Sequence, residues 1–424
     1  MTGVQTCALP IWFGSEPKFP NASILRFLNH QYRTTGEDFF ASMLIKTLDS
    51  MSDGQVHDSS DGGFFRHCAQ ADWTQPQHEK MLEDNLSLAR EFLDASILLD
   101  RPGYRETAKQ TFDYLLEQLY DPAVPGFRGS QGAHSDYFSL SPDQRTADAR
   151  PAPDPSCYAN SNGLAVTVLL DAAWKLGDLS LQTKALQALE TLDSAAKSGS
   201  FSHVYSEQGP SDVLAFFTDW AWLLTALVQA HGNTASEGYL ERAVVVAQIM
   251  VDRFFDQKAG GFFDIEDQPD GIGHLQIREK VLADNTVAAQ ALIRLHQTTR
   301  NADYRQIAKA TLSAFVETFR EQGEFAADYG LAVHQLNNDL VEVTVEGKPE
   351  DAGCQALLAA AVRLPQPNLD IKTIVAADGD SVARAHVCLD TVCLPPVDSP
   401  AELAEAVAGL TKQQESRSEE HTSE

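Results

Sequence analysis

Nine acids and amides stand where helices are expected to open: Asp72, Glu79, Asp84, Asn85, Asn160, Asn162, Asp219, Asp284 and Asn285. If those helices share one direction around a ring, their polar starts converge on one mouth. Two carboxylates there could serve as acid and base on a glycosidic bond, about 5–5.5 Å apart for retention or 6.5–9.5 Å for inversion. Trp73, Trp220, Trp222 and Tyr158 lie beside them and could stack on sugar faces. Asp and Asn are also what helix N-termini prefer as caps, so capping and ligand contact are both open at these positions.

Histidines offer a second chemistry. Epimerisation needs bases flanking a carbon acid, and His57, His67, His78, His203 and His274 lie in the loops before these helices. His78 stands out because Glu79 beside it could orient the ring. Catalytic candidates are therefore His78, Glu79, Asp84 and Asp284. Ligand contacts are expected from Asp72, Trp73, Asn85, Asn160, Asn162, Asp219, Trp220, Asn285 and Arg66, with Lys80 and Arg278 as further candidates for an anionic group. The spacing of His57, His67, Cys68 and His78 fits no closed zinc site, so no metal is expected, and no cofactor.

The elements that must position these groups recur. Leu82-Glu-Asp84-Asn85 is echoed by Leu282-Ala-Asp284-Asn285, and twenty residues beyond each Asp lie Tyr104-Arg and Tyr304-Arg. Asp219-Trp-Ala-Trp is likewise followed by Tyr239. Pro76 suits the first position of the helix carrying Asp84. Between helix pairs stands an aromatic preceded by small residues, at Phe64, Phe127, Phe201, Phe262 and, more weakly, Phe325. Each Phe is expected to plug the layer between helices.

Helix pairs fall near 21–33 and 37–51, 79–98 and 103–119, 159–176 and 181–197, 213–231 and 236–256, and 281–298 and 303–321. Helices near 327–338 and 350–363 could form a sixth pair. The loop 129–157 is an insertion rich in Pro, Asp and Ser. Segments 340–347, 371–376 and 385–389 read as strands, and 400–410 as a final short helix. The expected fold is mainly α: an (α/α)6 toroid over 12–339, with the last helix and a small α/β element in 340–411. An open solenoid is the rival.

The net charge of −28 argues against nucleic acid and anionic membrane as partners. No apolar run is long enough to span a bilayer. Cysteines are scattered, which suits a reducing, cytoplasmic setting. Cys388 and Cys393 are read as thiols unless two adjacent strands bring them together. Residues 1–11 and 417–424 read as translated sequencing adaptor, with 412–424 as tail, and are set aside. On that reading the native start lies upstream, and the sequence is silent on a targeting signal.

Asp61-Gly-Gly-Phe-Phe-Arg66, Asp72-Trp-Thr74, Pro76, Glu79-Lys-Met-Leu-Glu-Asp-Asn85, Lys18-Phe-Pro20 and Val387-Cys-Leu-Asp-Thr-Val-Cys-Leu-Pro-Pro-Val397 together resemble the YyaL/spermatogenesis-associated-protein-20-like family. The resemblance covers residues 12 to about 411. It implies a thioredoxin-like domain followed by an (α/α)6 barrel related to N-acylglucosamine 2-epimerases and six-hairpin glycosidases, with the thioredoxin-like domain lying outside this chain. Two positions depart from the family pattern: His57-Asp58-Ser59 stands where Tyr-Asp-His is usual, and Gln77-His78 where His-Phe is usual. The expected function is binding or conversion of a carbohydrate-like small molecule in the mouth. The alternative is a non-catalytic scaffold or client-binding module working with the thioredoxin-like domain.

Overall fold

The structure, a computed structural model, describes residues 16–197, 201–268, 273, 277–376, 382–389 and 392–410. The adaptor-like segments, the 412–424 tail and His274 lie outside the described residues. The chain divides into two compact units, residues up to 123 with 127–157, and residues 124–126 with 158 onward.

In the first unit, α1 (Ala22–Thr35) and α2 (Asp38–Ser52) form a hairpin, as do α3 (Leu82–Leu98) and α4 (Pro102–Tyr114), and α1 packs on α3. Gly36, at φ 68°, ends α1 in the left-handed conformation with its N–H returned to the Tyr32 carbonyl. Helix α3 starts at Leu82, later than the sequence suggests. Pro76 and Gln77 pair with Cys68 and His67, and Lys80 and Met81 pair with Gln131 and Ser130. The backbone is thus held extended until Leu82. The insertion contributes Ser130 and Gln131, a short α-helix, α5 (Ser135–Phe138), and two 3-10 turns, Pro142–Gln144 and Ala147–Ala149.

The second unit repeats the hairpin: α6 (Ala159–Leu176) with α7 (Leu179–Lys197), α8 (Phe217–Thr234) with α9 (Glu237–Phe254), and α10 (Leu282–Thr299) with α11 (Ala302–Ser313). Helices α6, α8, α10 and α12 (Ala327–Asn337) form the inner row, each packed on the next. The chain then builds a sheet of order β2-β1-β3-β4, from β1 (Val341–Gly347), β2 (Leu369–Val375), β3 (Arg384–Leu389) and β4 (Val392–Cys393), with β1 and β2 parallel. Helix α13 (Ala352–Val362), expected as the outer partner of α12, packs instead on β1, β3 and α6.

This α/β element seats on the C-terminal ends of the inner helices. Asn233 of α8 donates to Thr373 Oγ1 at 2.6 Å, and Arg294 of α10 reaches Asp370 at 3.1 Å. Gln355 donates to the last-turn carbonyl of Trp174 at 2.6 Å, and Asn368 to the carbonyls of Gln335 in the last turn of α12 and of Asn338 just beyond it. Carbonyls left without intrahelical partners gain donors this way. The opposite, N-terminal ends carry the candidate site residues.

The Gly-Phe loops plug the helical layers as expected at Phe64, Phe127, Phe201 and Phe262, all buried, whereas Phe325 is 69% exposed. Two of these loops form one module built twice. In each, an Asp opens the turn, two glycines follow at positive φ (Gly62 78°, Gly63 80°; Gly260 71°, Gly261 76°), and a Phe is pinned by an Asn on the inner helix. Asn85 Oδ1 accepts the Phe64 N–H at 2.6 Å while Nδ2 donates to the Phe64 and Met81 carbonyls. Asn285 does the same for Phe262, at 2.6 Å and 3.0 Å, and for Val281. A Cβ on Gly63 would stand 2.8 Å from Asn85 Oδ1 and from the Tyr114 ring, so glycine is required there by space as well as by φ.

A lysine locks each turn. Lys80 Nζ donates to Asp58 at 2.8 Å and the Gly62 carbonyl at 2.7 Å; Lys280 donates to Asp256 at 2.8 Å and the Gly260 carbonyl at 2.6 Å. Asn85→Ala and Asn285→Ala should each destabilise by about 2–4 kcal/mol in chemical denaturation, because each strands a buried N–H and carbonyl. Lys80→Met should cost about 3 kcal/mol or more, since it strips a buried carboxylate of a partner. Lys280→Met, whose ion pair is partly solvated, should cost about 1 kcal/mol.

Candidate functional site

In the first unit, the start of α3 gathers Arg66, Glu79 and Asp84. Arg66 donates to Glu79 at 2.7 Å, with both side chains partly exposed. Asp84 sits in the first turn of α3 and makes no side-chain capping bond. Its carboxyl is pushed from the ordinary 3.8 to about 6, chiefly by burial, then by Glu83 and Glu79, with Arg66 opposing. A carboxyl held near neutrality can gain or lose a proton in the physiological range. It also costs stability when ionised.

The other first-unit candidates are engaged elsewhere. Asp72 is exposed and accepts Thr74 N–H and Oγ1 in a local turn. Trp73, expected to stack on a sugar, is 1% exposed in the core with Lys18 Nζ 4.8 Å over its ring. Asn85, expected to face a ligand, spends both its amide atoms on the loop described above. Lys80 is fully buried, its Nζ ringed by Tyr114 at 4.6 Å and Phe65 and Phe138 at 5.1 Å. Burial, set against Asp58, lowers its pKa to about 8. It cannot serve as an anion contact in this state.

The insertion produces that burial. Arg145 donates to Asp58 at 2.7 and 3.0 Å and to Asp61 at 3.3 Å, and Arg150 reaches Asp61 at 3.1 Å. Phe138 covers Lys80 and lies 5.6 Å from the His78 ring, whose other side meets Phe65 at 4.8 Å. Burial lowers the pKa of His78. His57, packed on Phe64 at 4.9 Å, is lowered by burial too. His67 stacks on Phe19, and Cys68 is buried with its thiol raised to about 12. Among the described residues no group of three His, Cys, Asp or Glu could hold a metal.

In the second unit, Asp219 and His203 form a dyad. Asp219 is fully buried and accepts the Phe216 N–H at 2.7 Å and the Asn160 N–H at 2.9 Å, so it ties the starts of α8 and α6 together. Its carboxylate lies 3.0 Å from His203 Nδ1 through both oxygens. Burial raises the Asp219 pKa, and His203 and the two N–H groups oppose it. His203 is fixed by its own backbone, donating to Val213 and accepting from Ala159. Its side chain is 20% exposed, beside Tyr158 and Phe216. The buried carboxylate favours the tautomer that carries its proton on Nδ1.

Asn162 is buried and donates to the Tyr158 carbonyl. Trp220 is 5% exposed and packs edge-on to Phe201, whereas Trp222 is half-buried. Asp284 is half-buried in the first turn of α10, the counterpart of Asp84. Arg278 lies 4.1 Å over Phe263. Sequence reasoning named His203 and Asp219 separately and did not pair them. The pairing needs the loop before α8 to fold back onto that helix's own start.

No family model matches the chain. Its fold is similar to solved sugar-processing enzymes: a D-mannose isomerase (14% identical, 72% of this chain and 77% of that one, TM-score 0.56), a cellobiose 2-epimerase of Spirochaeta thermophila (14%, 74% and 81%, 0.57) and an alpha-mannanase of glycoside hydrolase family 76 from Bacteroides thetaiotaomicron (11%, 72% and 76%, 0.51). The fold class is therefore the (α/α)6 toroid. Among curated proteins it is similar to human spermatogenesis-associated protein 20 (22% identical over 92% of this chain) and to an uncharacterized protein of Caenorhabditis elegans (22% over 93%). The chain is thus similar to spermatogenesis-associated protein 20 over almost its whole length. It spans 66% of the human protein and 70% of the nematode one. No described helix is long and apolar enough to cross a membrane.

The raised Asp84 pKa fixes a pH signature. Its folded value lies above the unfolded one, so the fold is free of penalty below about pH 4 and bears it fully above about pH 6. Asp84→Asn should therefore raise stability by about 2 kcal/mol at pH 7.5 and leave it unchanged at pH 4, read from denaturation midpoints at both pH values.

Proposed function

We propose that the toroid binds a carbohydrate-like small molecule at the N-terminal ends of its inner helices and that His203 moves a proton on it. The single observation that carries this is the His203–Asp219 dyad, a partly exposed imidazole held by a fully buried carboxylate at the start of an inner helix. The likeness of the fold to sugar isomerases and epimerases supports the choice of ligand class, as does the sheet seated on the opposite helix ends.

In this reading His203 Nε2 takes the proton next to the carbonyl of a ring-opened sugar, giving an enediol. Return of the proton to the neighbouring carbon isomerises the sugar, and return to the other face epimerises it. Asp219 is a positioning residue: it holds the imidazole and stabilises its cation, with no contact to the ligand itself.

The test is exchange of the sugar C2 proton in deuterated water, followed by NMR over a panel of aldoses and β-linked disaccharides, with thermal shift reporting binding. We expect exchange with at least one sugar, lost in His203→Gln with the thermal shift kept. Asp219→Asn should lower it about 100-fold or more. If no sugar shifts the melting temperature and none exchanges, the reading fails and the non-catalytic scaffold takes its place.

A further inference from the structure

The cysteines divide into two kinds. Cys68, Cys157 and Cys354 are fully buried, and burial raises their thiols to about 12, 12 and 11. Cys388 and Cys393 are instead joined in a disulfide between β3 and β4, where they are register partners with Cα atoms 4.1 Å apart. This corrects the expectation of two thiols: the antiparallel pairing of β3 and β4 brings them together.

The bridge lies on the solvent side of the sheet. Along β3, Ala385 and Val387 are buried while Arg384, His386 and Cys388 occupy the other face, and Cys393 is exposed. Strand alternation places His386 and Cys388 on the same face as neighbours. Opposite them on β1 stand Glu342 against Cys388, Thr344 against His386 and Glu346 against Arg384. His386 Nε2 lies 3.1 Å from Glu346, the register partner of Arg384, so this contact draws the imidazole toward Arg384 and away from Cys388.

The backbone secures this edge without the sulfurs. Leu394 N–H bonds the Val387 carbonyl at 2.9 Å, and Ala385 and Val397 exchange both bonds at 2.8 and 3.0 Å. A bridge closing so short a loop constrains the unfolded chain by about 2 kcal/mol, at the low end for disulfides.

We propose that Cys388–Cys393 is a thiol–disulfide exchange site that accepts electrons from a dithiol. A thiolate of the dithiol attacks the exposed Sγ of Cys393. The S–S bond breaks, and Cys388 leaves as a thiolate that takes up a proton from water. The second thiol of the dithiol then attacks the mixed disulfide, and Cys393 leaves and is protonated. Two electrons and two protons pass from the dithiol, which becomes a disulfide, to the protein, which becomes a dithiol.

The experiment treats the native full chain with dithiothreitol, quenches with a maleimide and counts adducts by mass, with circular dichroism recorded in parallel. We expect two adducts, on Cys388 and Cys393 alone, with the fold kept. The rate should be no lower than that of an oxidised peptide spanning Arg384–Val397. Cys388→Ser/Cys393→Ser should fold with a melting temperature within a few degrees of the parent. Reduction that occurs only as the protein unfolds, or a native rate below the peptide's, overturns the proposal and makes the bridge structural.

Discussion

A loop that enters a helical core brings backbone N–H and carbonyl groups that water can no longer satisfy, and much of this molecule answers that constraint. Phe64 and Phe262 sit at zero exposure because an asparagine on the adjacent inner helix supplies a donor and an acceptor to each. A buried amide that meets both needs at once is worth more than its bond count suggests, since leaving either group unmet costs about 1–3 kcal/mol. The double glycine follows from the same requirement, because the asparagine oxygen occupies the space a side chain would need. The first turn of the inner helix is thereby fixed in place, and with it the aspartate one residue earlier.

The module appears twice with the same hydrogen bonds but in different surroundings. Lys280 and Asp256 are each 19% exposed, whereas the insertion folds over Lys80 and Asp58 and closes them off. One buried carboxylate then serves two cations, Lys80 and Arg145, and the excess charge is balanced by Asp61. Such a network is strongly held once complete and costly when broken. It gives the inserted segment a fixed course despite its loop-like composition.

The inner helices of the second unit have two unlike ends. Their C-terminal carbonyls are met by side chains of the α/β element. Their N-terminal ends gather the His203–Asp219 dyad and the polar starts of α6, α8 and α10. Asp219 shows that capping and site-building are compatible: it accepts two backbone N–H groups and a histidine with one carboxylate. In the first unit Asp84 is the contrasting case, a carboxyl that caps nothing and costs the fold energy at neutral pH.

The sequence by itself determined the hairpin repeat, the starts of α6 and α10, three of the sheet strands and the family resemblance, because periodicity and turn chemistry are local. Even the pinning module was legible, as Asp-x-x-x-Gly-Gly-Phe followed by Lys-x-x-x-x-Asn at 58–85 and again at 256–285. What the spacing left open was where those side chains point. Only the tertiary structure decided that Asn85 and Asn285 turn to the loop, that Trp73 and Trp220 enter the core, that Pro76 lies in a strand, and that α13 joins the sheet. Arg145 meets Asp58 across 87 residues, and Cys388 meets Cys393 only because β3 and β4 pair antiparallel. Pairings of this kind depend on how separate elements are set against one another, and no local pattern encodes that.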